Sequence, residues 1–223
     1  MKKLSIIILL LVTSLGFSQV EKNVRDFTSI AVFDRISVEL IKSTESKIEI
    51  KGDRANEVEL VNKNGNLKVR MKLKKLLDGE SVTAKVYYKS LESIDASEGS
   101  YVAGDAIFKQ ASIKLNAKEG SEIRLNIDVQ KAELRAVTGG TLNIKGTATN
   151  QDASVGTGGI LRAEGLETSQ TTVIITTGGE ADVRATELVD AKVRAGGTIT
   201  VFGSPKQINK KTTLGGSINE SKR

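Results

Sequence analysis

From residue 98 onward, apolar and polar positions alternate with a period of two in short stretches, and the stretches recur. Leu142-Ile144, Leu161-Ala163, Ala181-Val183 and Ile199-Val201 each begin two residues after a glycine. A second alternation follows in each copy: Ala132-Leu134-Ala136, Ala153-Val155, Val173-Ile175 and Ala191-Val193-Ala195. Alternation sends successive side chains to opposite faces, so each stretch predicts a strand with one buried face. Each copy therefore reads as two or three short strands separated by tight turns.

The copies are anchored by the second glycine of a pair. Gly140, Gly159, Gly179, Gly197 and Gly216 are spaced by 19, 20, 18 and 19 residues. Two Glu-Gly-Ser copies place Gly99 and Gly120 ahead of them, at spacings of 21 and 20. A small residue, Gly146, Gly165, Ala185 or Gly203, closes the first strand. A unit of this size cannot bury its apolar face alone, whereas stacked copies share one continuous core. The expected fold is all-β: a single-stranded parallel β-helix, right-handed, with coils of about 20 residues. Coils stack ~4.8 Å apart, and glycine supplies the positive φ that a sharp corner needs. Thr138, Thr157 and Thr177, two before the anchor, suit a stacked threonine ladder. Outside, Lys145, Glu164 and Arg184, and Arg162 with Asp182, suggest charges alternating from coil to coil.

Residues 26–97 are also rich in alternation, in Ile36-Val38-Leu40, Ile48-Ile50, Val58-Leu60, Leu67-Val69-Met71-Leu73 and Val82-Ala84-Val86, but without the repeat. "KNGN" at 63–66 reads as a hairpin turn. With Pro205 the only proline and no linker before residue 98, residues 19–223 read as one domain. Its 19–97 part is irregular and starts or caps the regular coils of 98–223. Residues 1–18 read as a secretory signal peptide: Lys2 and Lys3, an apolar run from Ile6 to Val12, then Gly16 and Ser18 at a cleavage site that leaves Gln19 first. The run is too short for a bilayer span, which takes about 20 residues, and no later segment supplies one.

Composition narrows the chemistry. The chain has no cysteine and no histidine. That excludes Ser-His-Asp and Cys-His catalysis, His/Cys zinc sites, disulfides and a lipoprotein anchor. The formal charge is +6, and +4 after loss of Lys2 and Lys3, since residues 1–18 hold no acid. A basic exported protein is suited to anionic glycans or lipid headgroups; no nucleic-acid motif is present. The glycines match neither GxxxxGK[ST] nor GxGxxG nor the calcium nonapeptide, so no cofactor or metal site is assigned. Glu98 and Glu119 share a repeat column, but as adjacent corner residues they read as solvated rather than catalytic, and few aromatics are present to stack on sugars. The most suggestive surface is "NLKVRMKLKK" at 66–75. On a strand, Lys68, Arg70, Lys72 and Lys74 share one face, with Lys75 beside them, and Leu67, Val69, Met71 and Leu73 share the other. This basic stripe is the candidate polyanion contact; as a plain solvated face it would simply discourage edge aggregation.

Taken together, "FTSIAVFDRISVELIKSTESKIEIKGD" at 27–53, "NGNLKVRMKL" at 64–73, "LESIDASEGS" at 91–100, the glycine repeats and "GGSIN" at 215–219 make the chain resemble the exported bacterial family named "putative auto-transporter adhesin, head GIN domain". Its repeats usually read Ser-Gly-x-Gly, where this chain has Thr-Gly-Gly, Ala-Gly-Gly or Glu-Gly-Ser. The resemblance implies a β-helix at the cell surface, in the periplasm or secreted. The function expected is a non-enzymatic envelope interaction module whose partner is an anionic glycan, an anionic lipid surface or an envelope protein. The alternatives are a carbohydrate-active β-helix enzyme using carboxylates and a solenoid that self-assembles through its ends.

Overall fold

The computed structural model describes residues 19–221; the expected signal peptide lies outside the described residues. The N-terminal strands are β1 (Gln19–Asn23), β2 (Ser29–Val32), β3 (Ser37–Lys42), β4 (Lys47–Lys51), β5 (Val58–Lys63), β6 (Asn66–Met71), β7 (Thr83–Tyr88) and β8 (Ser93–Ala96). The coils follow as β9 (Tyr101–Lys118), β10 (Glu122–Val137), β11 (Thr141–Gly156), β12 (Ile160–Ile175) and β13 (Glu180–Ala195). The last strands are β14 (Thr198–Phe202), β15 (Gln207–Leu214) and β16 (Ser217–Glu220). The whole is a parallel β-solenoid of about 7 turns.

The inward stack matches the sequence pattern. Leu142, Leu161, Ala181 and Ile199 lie side by side in successive coils, each no more than 1% exposed. The column continues through Ile123, Val102, Val38 and Ala84 into the N-terminal part. Full burial of a Val, Leu or Ile side chain contributes about 1.5–3 kcal/mol, so the continuous column adds to the backbone ladders in holding one coil on the next.

Each regular coil is a single long strand rather than two or three short ones. In β10 and β11 the alternation slips once: Gln130-Lys131 and Thr149-Asn150 are consecutive exposed residues, after which burial resumes at Ala132 and Gln151. Two outward residues in a row bend the strand between two flat faces without breaking its pairing. The glycine corner closes the other side.

At that corner the repeat frame of the first two copies shifts by one. Tyr101, Glu122, Thr141 and Ile160 are in register, which places Ser100 and Ser121, not Gly99 and Gly120, in the column of Gly140 and Gly159. The serines use this place. Ser121 Oγ donates to the Ala96 carbonyl at 2.7 Å, and Ser100 Oγ to that of Val32 at 3.0 Å. In the next coils the corresponding carbonyls leave no room for a side chain: a Cβ on Gly140 would lie 2.2 Å from the Ala117 oxygen, and one on Gly159 2.1 Å from that of Ala136. The preceding residues supply the turn, with φ of 51° and 74° at Thr138-Gly139 and 50° and 72° at Thr157-Gly158. Main-chain bonds link successive threonine corners, Gly120 N–H to Thr138 O and Gly139 N–H to Thr157 O, both 3.1 Å.

The outer charge ladder holds at one column and fails at the next. Arg162 lies beside Asp182 as expected. Between Asn143 and Gly146, and between Ala163 and Glu167, the register shifts. Arg184 then faces Glu167, and its Nε donates to the Glu164 backbone carbonyl at 2.7 Å, not to the carboxylate. The cause is unequal copy length: residues 164–166 of β12 have no partner on β13 and are absorbed at an irregularity, and a bulge re-aims the side chains after it.

The N-terminal part is stacked out of sequence order. β2 lies between β6 and β8, and β3 between β7 and β9, so the coil made by β6 and β7 is outermost although it comes later in the chain. Antiparallel strands finish that end: β5 on β6, and β4 on β7 with β1 beyond it. The "KNGN" turn joins β5 to β6, with φ of 54° at Asn64 and 75° at Gly65.

Candidate functional site

The basic stripe begins on β6 but does not stay on it. The strand ends at Met71, Lys72 turns the chain with φ −60° and ψ 148°, and Leu73–Lys75 forms a 3-10 turn. Lys68 and Arg70 are therefore on the strand, and Lys72, Lys74 and Lys75 on a projecting corner. Leu73, expected inside, is 74% exposed, because the 3-10 turn ends the period-two alternation that put Leu67, Val69 and Met71 in the core.

The five cations are also not equivalent. Arg70 stands opposite Glu59 of β5, with Nε and Nη2 both 2.8 Å from Glu59 Oε2. Lys72 Nζ donates to the Asn56 carbonyl at 3.0 Å and sits 3.4 Å from Glu57 Oε2. Among the described residues, Lys68, Lys74 and Lys75 have no ion-pair partner. The acids that divide the stripe come from "NEVEL", a segment adjacent only through the β5–β6 pairing.

The corner carrying Lys74 and Lys75 spans residues 72–82, between β6 and β7. Equivalent corners elsewhere take only 119–121, 138–140 and 157–159. The long corner is fixed from beneath by Asp34, which is 1% exposed. Asp34 Oδ2 accepts from Met71 N–H at 2.9 Å, Oδ1 from Leu77 N–H at 2.8 Å, and its carbonyl from Gly79 N–H at 3.1 Å. Ion pairs Arg54–Asp78 and Arg35–Glu80 brace its second half. Leu77 has φ 63°, a conformation that costs a side-chain-bearing residue roughly 1–2 kcal/mol, and it is held there with its side chain half in solvent. Leu76 and Leu77, with Asp34, Arg35, Glu98, Gly99 and Glu119, line an open depression of about 560 Å³.

Glu98 and Glu119 do meet at adjacent corners, where Gly99 N–H donates to the Glu119 carbonyl at 2.9 Å. Burial, then the nearby Asp34 charge, pushes the Glu98 carboxyl above its ordinary value. Sequence reasoning missed Asp34, Leu76 and Leu77. The Asp-Gly pair at 78–79 was the available signal, since it marks a turn directly after "LKKLL". Among the described residues, no group of three or more Asp, Glu, His or Cys side chains is placed to hold a metal ion, and no helix is long and apolar enough to cross a membrane.

Several solved structures share this shape. A "putative adhesin" from Bacteroides fragilis superposes with TM-score 0.85 at 19% identity, over 93% of this chain and 98% of that one. A "putative adhesin" from Parabacteroides merdae gives 0.73 at 20%, over 93% and 97%. A "putative lipid binding protein" from Parabacteroides distasonis gives 0.71 at 18%, over 92% and 96%. At these identities the likeness speaks for the fold alone. None of the curated proteins matches the chain. The family model described as "Putative auto-transporter adhesin, head GIN domain" matches residues 26–205, and with the glycine-cornered solenoid over the same span, the chain belongs to that family.

Proposed function

We propose that this chain is an exported, non-enzymatic interaction module of the bacterial envelope, which meets a polyanionic surface through the Lys68–Lys75 segment. The observation that carries the reading is the 72–82 corner. It is the longest of its column, it is pinned by a buried carboxylate, and it presents Lys74 and Lys75 without ion-pair partners beside exposed leucines. A signal peptide at 1–18 and one domain over 19–223 belong to the same reading. Family membership agrees with a surface setting.

Contact of this kind is electrostatic and weakens as salt rises, with a Debye length of ~10 Å at 0.1 M. The test is elution of the purified protein from a heparin column along a salt gradient. Wild type should elute later than Lys68→Glu/Lys74→Glu/Lys75→Glu, whereas Arg70 and Lys72, already paired, should contribute less. Identical elution of wild type and the triple variant removes the segment as a binding surface. A carbohydrate-active enzyme using Glu98 and Glu119 is the competing reading, favoured by the raised Glu98 carboxyl. Turnover of an acidic polysaccharide that disappears in Glu98→Gln would replace the proposal.

A further inference from the structure

Among the described residues, the large apolar side chains left most exposed are Leu73, Leu76, Leu77, Ile107 and Leu214. The first three fall within one turn, at 74%, 51% and 47% exposure. Their grouping is not the residue of a loose loop. The same turn is tied to the core by the two Asp34 carboxylate bonds and bent by Leu77 in a left-handed conformation. The anchoring fixes the course of the turn that carries them.

Within the turn itself, the charges left unpaired have one sign. Asp78 and Glu80 are taken by Arg54 and Arg35, Glu57 by Lys72, and Asp34 is buried under two N–H groups. Lys74 and Lys75 remain. The neighbouring corners add two acids, Glu98, whose carboxyl burial and the Asp34 charge push up, and Glu119, and neither has an ion-pair partner among the described residues. Leucines projecting from a rigid turn, flanked by unpaired lysines, are the combination that enters a headgroup region: apolar tips reach the acyl boundary while the ammonium groups stay with the phosphates. A protein groove would bury leucines equally well but would not require the lysines to be free.

We infer that the 72–77 turn is a bilayer-docking loop, which seats Leu73, Leu76 and Leu77 at the acyl boundary of an anionic membrane while Lys74 and Lys75 meet its headgroups. The inference rests on the interaction-module reading and narrows its polyanion to a lipid surface. The position of the loop at the outermost, capped coil would stand the solenoid on this corner and leave the regular coils facing away.

The test is flotation of the protein, expressed as the full chain with its own leader and purified in exported form, with vesicles of phosphatidylcholine alone or mixed with phosphatidylglycerol. Wild type should float with the mixed vesicles and not with the neutral ones. Leu73→Ser/Leu76→Ser, both at exposed sites, should keep its melting temperature and its heparin elution yet lose about tenfold in vesicle partitioning, the equivalent of ~1.4 kcal/mol. Lys74→Glu/Lys75→Glu should lose both vesicle and heparin binding. The chain has no tryptophan, so Leu76→Trp gives a single reporter whose emission should shift to the blue on mixed vesicles. Vesicle binding without a blue shift, or with no loss in the leucine variant, overturns insertion. Heparin retention with no vesicle association overturns the membrane assignment and leaves the interaction module standing with a glycan or protein partner. If wild type binds neither heparin nor vesicles, both readings fall.

Discussion

Gly158 and Gly159 are neighbours in one corner, yet replacing each by alanine should have different consequences. At Gly158, φ is 72° and nothing lies within 4 Å of a built Cβ. The cost there is the left-handed conformation alone, roughly 1–2 kcal/mol, partly offset by about 0.4–1 kcal/mol from the stiffer unfolded chain. At Gly159 the Cβ would lie 2.1 Å from the Ala136 oxygen and 2.5 Å from its carbon. Those atoms are backbone of the coil below and cannot rotate away. The coils must separate locally, straining ladder bonds such as Ile160 N–H to Gly140 O at 2.9 Å and Glu180 N–H to Gly159 O at 3.0 Å. Overpacking costs typically 1–3 kcal/mol, and each bond lost adds about 1 kcal/mol, giving about 3–5 kcal/mol for Gly159→Ala. For a chain of this size 1 kcal/mol moves the melting temperature by about 2–4 °C. Thermal unfolding followed by circular dichroism should therefore show a fall of a few degrees for Gly158→Ala and roughly 6–20 °C for Gly159→Ala. Equal shifts, or the larger shift at Gly158, would refute the argument that the second glycine serves coil contact and the first serves conformation.

Thr138 and Thr157 sit exposed at φ of 51° and 50°, where a β-branched residue is strained. Asparagine tolerates that region, so Thr138→Asn and Thr157→Asn should each raise stability by about 0.5–1 kcal/mol, seen as a higher melting temperature; no gain would mean that the threonine side chains hold the corner. Because folding raises the Glu98 carboxyl, the folded protein holds that proton more tightly than the unfolded chain does. Its contribution to stability is then most favourable below the ordinary carboxylate value of 4.5 and declines as pH rises through the raised one. Glu98→Gln should therefore raise the melting temperature at neutral pH more than in acid, and a difference independent of pH would contradict the shift.

Periodicity is a local property, and what it governs was legible in the chain. Leu142, Leu161, Ala181 and Ile199 face inward because alternation fixes the side of a strand on which each side chain lies, and regular spacing fixes which copies stack. The glycines at 140 and 159 signalled the corner for the same reason. Three things depended on the tertiary structure. The slip that moves Arg184 from Glu164 to Glu167 depends on where unequal copies absorb their extra residues, and no single copy contains that information. The stacking of β6 and β7 outside β2 and β3 depends on long-range pairing that residue patterns within 26–97 do not encode. The basic segment was visible as five charges, but its division was not. Glu57 and Glu59 reach Lys72 and Arg70 across a hairpin, and Asp34, far away in sequence, supplies the two hydrogen bonds that hold the corner and leave Leu73 in solvent. The strand pattern assigned Leu73 to the core because alternation carries no mark of where a strand stops. That end was set by a carboxylate from another coil.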